Sequence, residues 1–183
     1  MRNHSLATEA IVLKRTNFGE SDRIVTLLTP EQGKVTCIAK GVRKLTSSQR
    51  AYLEPGNLVS ILLVGTSSMP ILSQTKLLND FSLSKTDLLR LKKLTQVLEI
   101  VDRLFPEGAE ETELFQSIIL ILKHLDQSKV PFLLVQEELC RVLVQLGYQH
   151  LTDTPYTSVI EYVASIADRP LRSFDYLTVK SKI

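Results

Sequence analysis

The chain has 183 residues, 44% of them hydrophobic, a formal net charge of +2 and a sequence pI of about 8.5. That is enough apolar material for one packed domain or two small ones, and it excludes a disordered or strongly polyanion-coating chain on bulk charge alone. Cys37 and Cys140 are the only cysteines and each sits in an apolar run, which excludes a disulfide framework and a Cys-rich metal site.

Residues 8–14 are rich in β-branched and aliphatic side chains and read as a first strand, interrupted by the turn-tolerant Asn17-Phe18-Gly19. Arg23 to Thr29 reads as a second strand. Thr29-Pro30-Glu31-Gln32-Gly33 closes a hairpin, with Pro at the second turn position and Gly supplying a left-handed residue, and Lys34 to Lys40 reads as a third strand. GVRKLTSSQR, residues 41–50, is polar and cationic and reads as a surface loop. Pro55-Gly56 opens a fourth strand through Val64, and residues 70–77 supply a fifth. Five short strands in about 75 residues suit a small closed barrel, and an OB-fold is the expected form.

From Ser84 the period becomes helical. Ser84 with Asp87 reads as an N-terminal cap, and Leu88, Leu91, Leu94, Leu98, Val101 and Phe105 follow at spacings of three and four before Pro106 and Gly108. A second helix is expected over about 111–125. A third follows Pro131 and ends at Gly147, a fourth runs from Thr154-Pro155 to Ala167, and a last one starts at Pro170. The expectation is an α+β protein: a five-stranded OB-fold β-barrel over residues 1–80 packed against a C-terminal α-helical domain over residues 81–183.

The front half is the basic half. Residues 1–80 hold ten Lys and Arg against six Asp and Glu, whereas residues 81–183 hold twelve against fourteen. Lys40, Arg43, Lys44 and Arg50 lie in or beside one loop, Arg15 and Arg23 flank another, and Lys14 and Lys34 lie on the neighbouring strands. A single Lys or Arg is most often just solvated, but loops between OB strands border the oligonucleotide groove, so this grouping points to a phosphate track. Phe18 and Tyr52 are the candidate base-stacking rings; Phe18 is equally a barrel plug, and Tyr52 leans toward a structural role. On the helical side Arg90, Lys92, Lys93 and Arg141 are candidate partner-binding cations, with Arg141 also spaced to pair with Glu137 or Glu138.

No Walker A loop, G-x-S-x-G elbow, H-E-x-x-H or EF-hand occurs, so no catalytic residue is expected. His4, His124 and His150 are scattered, and Glu110, Glu111 and Glu113 read as a helix's acidic first turn. No cofactor is expected. MRNHSLATEA lacks the apolar core of a signal peptide and the longest aliphatic run, Ile118 to Leu122, is too short to span a bilayer, so a cytoplasmic location is expected.

The run EAIVLKRTNFGESDRIVTLLTPEQGKV, followed by AKGVRK and LEPGNLVSILLV, resembles the N-terminal domain of the RecO family of bacterial DNA-repair proteins. LGYQHL, residues 146–151, and RPLRSFDYL, residues 169–177, resemble later elements of the same family. The resemblance implies a nonenzymatic recombination mediator, nucleoid-associated during repair. Such a protein binds single-stranded DNA, with duplex left open, promotes annealing, and with RecR loads RecA on DNA coated by single-stranded-DNA-binding protein. It also implies a groove in the helical domain for that protein's acidic C-terminal tail. Many members hold a four-cysteine zinc module after LGYQHL; this chain has no cysteine there, so no zinc is expected. Two other readings of the residues stay open: an RNA-binding OB-fold protein, and an interaction adaptor whose barrel no longer binds nucleic acid.

Overall fold

The computed structural model describes residues 5–45, 47, 49–65, 69–167 and 171–172. Five strands, β1 (Ser5–Phe18), β2 (Asp22–Thr29), β3 (Gly33–Ala39), β4 (Leu58–Val64) and β5 (Ile71–Asn79), are joined by a short helix α1 (Gln49–Tyr52) between β3 and β4. They hydrogen-bond in the cyclic order β1-β2-β3-β5-β4, a closed barrel. The ring closes through a parallel β3–β5 contact, Ile38 opposite Ile71, where the Ile38 N–H donates to Pro70 O at 2.9 Å.

Alternation along the strands makes the core. Ala10 and Val12, Val25 and Leu27, Cys37 and Ala39, then Val59, Ile61, Leu63 and Leu72 all point inward, and Val42 and Leu53 complete the cluster. Each fully buried Val or Leu contributes about 1.5–3 kcal/mol.

The helical part comprises α2 (Ser82–Thr86), α3 (Leu88–Leu104), α4 (Thr112–Leu125), α5 (Phe132–Gln145) and α6 (Val159–Ile166). Among the described residues no helix is long and apolar enough to cross a membrane. The chain is thus an α+β protein, an OB-like five-stranded domain followed by helices.

Several boundaries differ from the sequence reading. β1 runs to Phe18, because its polar second half is held by pairing with β2. The polar 41–50 loop ends in α1. Asp87, not Ser84, caps α3, its side chain accepting the Arg90 N–H at 2.9 Å. Ser84 is instead buried within α2 and donates to Phe81 O at 2.6 Å. α6 starts at Val159, where the Ser158 hydroxyl accepts the Glu161 N–H, rather than at Pro155. The helix expected from Pro170 lies outside the described residues apart from residues 171–172.

The chain divides into two compact units, residues 1–80 with 106–116, and residues 81–105 with 117–183. Residues 106–116 therefore belong with the barrel, although their place in the sequence is among the helices. They seat on the β2–β3 hairpin: Lys34 N–H donates to Pro106 O (3.1 Å), Gly108 N–H to Gln32 O (3.0 Å) and Glu111 N–H to Pro30 O (2.8 Å). Gly33 permits this approach. Its φ is +54°, and a Cβ there would lie 2.8 Å from Pro106 O and 2.9 Å from Ala109 O.

Gly33→Ala should therefore destabilise the protein by about 2–3 kcal/mol in urea unfolding. Gly108→Ala meets no atom within 4 Å and should cost only about 1 kcal/mol for its left-handed backbone. Equal costs at the two sites would show that the returning segment does not constrain the hairpin.

Candidate nucleic-acid interface

The tip of the β1–β2 hairpin and the loop after β3 form one surface. Gly19, at φ +56°, turns the chain. The Asp22 carboxylate then accepts the Gly41 N–H at 2.7 Å and the Ser21 hydroxyl at 3.1 Å. Arg43 clamps the tip from the other side: its backbone N–H donates to Ser21 O and its Nη1 to Gly19 O, both at 2.9 Å. The Lys44 stem lies over Gly41. These bonds bring Lys40, Arg43 and Lys44 to the hairpin tip. Asp22 is held below its ordinary pKa of 3.8 chiefly by the Gly41 N–H, with burial opposing and Ser21, Lys40 and Lys44 adding to the lowering. Phe18 is 51% exposed at the end of β1, so it is no barrel plug; it stands free to stack.

Beneath the tip lies an arginine cluster. Arg23 faces Ala39 across the β2–β3 ladder and is only 3% exposed, so it is a structural residue and not the phosphate ligand expected from sequence. Its Nη1 donates to Arg50 O at 3.2 Å and lies 3.8 Å from Glu54 Oε1. Arg15 Nη2 pairs with the other Glu54 oxygen at 2.5 Å. The Arg23 guanidinium is pushed below its ordinary pKa first by burial and then by Arg15, against the opposing pull of Glu54, with Arg50 and Arg43 adding to the lowering. Arg15, Arg43 and Arg50 thus all act on Arg23, and Glu54 is the carboxylate that meets Arg15 and Arg23.

The structure gathers six of the expected cations, Arg15, Arg23, Lys40, Arg43, Lys44 and Arg50, against Asp22, Glu54 and the exposed Glu20. It does not gather Lys34. That residue is in register with Leu28 beside the Thr29–Gly33 turn, five residues and about 17 Å along β2 from Arg23. Lys14, exposed on β1 opposite Thr26, lies between the two ends. Glu54 and Asp22 are the members that sequence reasoning missed.

In the helical unit the four candidate cations separate. Arg90 is consumed structurally: it donates to Leu125 O and Ser128 O, both at 2.9 Å, and its guanidinium sits 5.5 Å from the Phe132 ring centroid. Arg141 pairs with Glu138 at 3.0 Å, one of its two expected partners. Lys93 borders an apolar groove lined by Val97, Ile100, Phe132, Val135 and Leu139 between α3, α5 and α6, with Gln96 and Gln136 at its polar positions. Burial, then the neighbouring Lys92, depress the Lys93 ammonium. Lys92 is half-buried and adjoins this residue in α3.

The family description "Recombination protein O N terminal" matches residues 1–81, and "Recombination protein O C terminal" matches residues 85–153. The DNA repair protein RecO of Geobacter sulfurreducens is 32% identical over 166 residues, 91% of this chain and 68% of that protein. This chain belongs to the RecO family.

Similarity extends to the DNA repair protein RecO of Syntrophomonas wolfei, 31% identical over 81% of this chain and 59% of that protein. The RecO of Roseiflexus is 33% identical over 81% of this chain and 52% of that protein, so this chain spans little more than half the length of such relatives. Cys37 is buried inside the barrel and Cys140 inside the helical unit, and among the described residues no three His, Cys, Asp or Glu are placed to hold a metal ion together.

Asp22 gives the tip a pH signature. Because its folded pKa is depressed, its stabilisation is present above the ordinary value of 3.8 and is lost as pH falls through the lower folded value. Asp22→Asn should remove that component, so that the variant's acid unfolding curve loses less stability below pH 3.8 than the parent's. Parallel curves would dismiss the Asp22 anchor.

Proposed function

We propose that this chain acts as a nonenzymatic DNA-binding recombination mediator in DNA repair, holding strands by their phosphates on the hairpin-tip face of the barrel. The grouping of Lys40, Arg43 and Lys44 at the hairpin tip, with Arg50 near Arg23 beside it and the exposed Phe18 in register with Asp22, carries this reading, and membership of a family whose curated relatives are named DNA repair proteins supports it. Phosphate contacts release counterions, so binding is nonspecific in sequence and fades with salt. Stacking on Phe18 adds roughly 1–3 kcal/mol for the base it meets. A surface that neutralises two strands lowers their mutual repulsion and promotes annealing. Duplex is a second substrate of the same track.

The helical unit supplies the partner side of this proposal. With RecR, the protein loads RecA onto DNA coated by single-stranded-DNA-binding protein. That protein's acidic C-terminal tail docks where Lys93 borders the apolar groove, because a tail with an apolar end and carboxylates matches an apolar trough with a cation on its edge. The work is cytoplasmic, at the nucleoid.

Four surface cations in contact with a single strand give a log–log salt slope of about −3. Reversing two of them in Arg43→Glu/Lys44→Glu should flatten the slope to about half and weaken oligothymidylate binding at least about tenfold. Fluorescence titration at two salt concentrations reads both quantities. Unchanged affinity and slope remove this loop from the site, absence of binding by the unmodified protein points to the adaptor reading, and a preference for RNA in matched competition replaces DNA with RNA. Separately, Lys93→Glu should weaken an acidic peptide with an apolar C-terminus by about tenfold while leaving oligonucleotide binding intact. Retained peptide affinity would move the tail elsewhere.

A further inference from the structure

Glu54 occupies a position that the fold specifies tightly. Residues 54–57 form a turn with Pro55 second and Gly56 third at φ +85°, closed by the Asn57 N–H donating to Glu54 O at 3.1 Å, the type II pattern. Asn57 is buried and its Nδ2 donates to Ala51 O (3.1 Å) and Tyr52 O (2.8 Å). The turn is latched onto β1: Gly56 N–H donates to Val12 O at 2.8 Å, and Val12 N–H to Asn57 O at 2.9 Å. The Glu54 carboxylate is therefore presented to Arg15 and Arg23 by a rigid backbone three residues from Arg15.

What this carboxylate does is unequal for its two partners. Arg23 is buried, and its Nε has no hydrogen-bond partner among the described residues, so it needs a nearby anion. Arg15 is different. Its Nε is likewise without a partner among the described residues, but its side chain is 30% exposed and that of Glu54 is 38%, so solvent and an incoming anion reach their 2.5 Å pair while Arg23 stays enclosed. A carboxylate and a phosphodiester each offer two oxygens to a guanidinium fork, and Arg43 and Arg50 border the same place.

Resting on the nucleic-acid reading of the barrel, we propose that Glu54 is a built-in stand-in for a strand phosphate: it holds Arg15 in the free protein, and binding transfers Arg15 from Glu54 to the nucleic-acid backbone. Glu54 then remains with Arg23, so the barrel keeps its internal counterion while the surface gains a phosphate ligand. The carboxylate competes with every incoming phosphate at this position. It lowers affinity for the strand and leaves the protein releasable, which suits a factor that must hand its DNA on.

Glu54→Gln should bind oligothymidylate about fivefold more tightly than the parent. In an Arg15→Gln background the same change should gain less than about twofold, because the pair it breaks is already gone. Equal gains in the two backgrounds indicate a general charge effect and overturn the exchange, as does no gain in either. If the unmodified protein does not bind the oligonucleotide at all, both this proposal and the DNA-binding reading fall, whereas binding without a Glu54 effect removes the exchange alone. The unmodified protein provides a test that does not depend on the stability of a variant. Its Glu54 side-chain carboxyl resonance should shift as oligothymidylate is added, because the carboxylate loses Arg15 while keeping Arg23, and a stationary resonance during saturable binding overturns the proposal.

Discussion

The structure depends on a change of partner within one strand. β1 pairs with β4 from Ser5 to Ile11 and with β2 from Ile11 to Phe18, and the register shifts between Val12 and Lys14 where the exchange occurs. One extra residue bends and twists a strand, and here the bend lets β1 serve two sides of the barrel. The same place anchors the Glu54–Asn57 turn through both backbone groups of Val12. Closure of the barrel and placement of Glu54 beside Arg15 are therefore one constraint. A chain that lost the bend would lose the core and the arginine cluster together.

Arg23 shows how the fold accommodates charge at that point. Along β2, Arg23, Val25 and Leu27 share a face, and the last two fill the core while the first closes its end. Burying a guanidinium is costly unless acceptors meet it. Here one backbone carbonyl and a share of one carboxylate meet it, beside three further arginines. The cluster is balanced well enough for folding and left short of negative charge. A local deficit of anions, rather than the +2 of the whole chain, is what would attract a polyanion.

Much of the barrel is legible in the sequence because its signals are local. Period-two apolar runs place the strands, and Pro30 with Gly33 places the hairpin. What escapes is set by partners distant in sequence. KRTNF, residues 14–18, has weak strand character of its own and is extended because β2 lies beside it. Lys34 is close to Arg23 in sequence, yet the antiparallel register sends it to the far end of β2. Arg23 was legible in principle: two and four residues before Val25 and Leu27 on an alternating strand, its parity already points inward. Glu54 is hidden for the opposite reason, since nothing local links it to Arg15, 39 positions away. The helical groove likewise needs α3, α5 and α6 together before Lys93 acquires an apolar neighbourhood.

Counting cations in a sequence overstates the charge available to a ligand, and the excess is largely arginine. Arg23 bonds a carbonyl and neighbours Glu54, Arg90 binds two carbonyls and lies against a ring, and Arg141 pairs along its own helix. A guanidinium has five donors in a rigid plane and can satisfy several acceptors at once, so a fold recruits it for internal ties. Arg15 and Arg43 stand between these uses, each bonded to the protein and each still reaching solvent. That intermediate condition suits exchange: the side chain is pre-positioned by an internal acceptor, so little conformational freedom is lost when a phosphate replaces it. On the proposed nucleic-acid reading, the arginines tied by exposed contacts would set where a strand lies, and all the phosphate-contacting cations together would set how strongly salt opposes it.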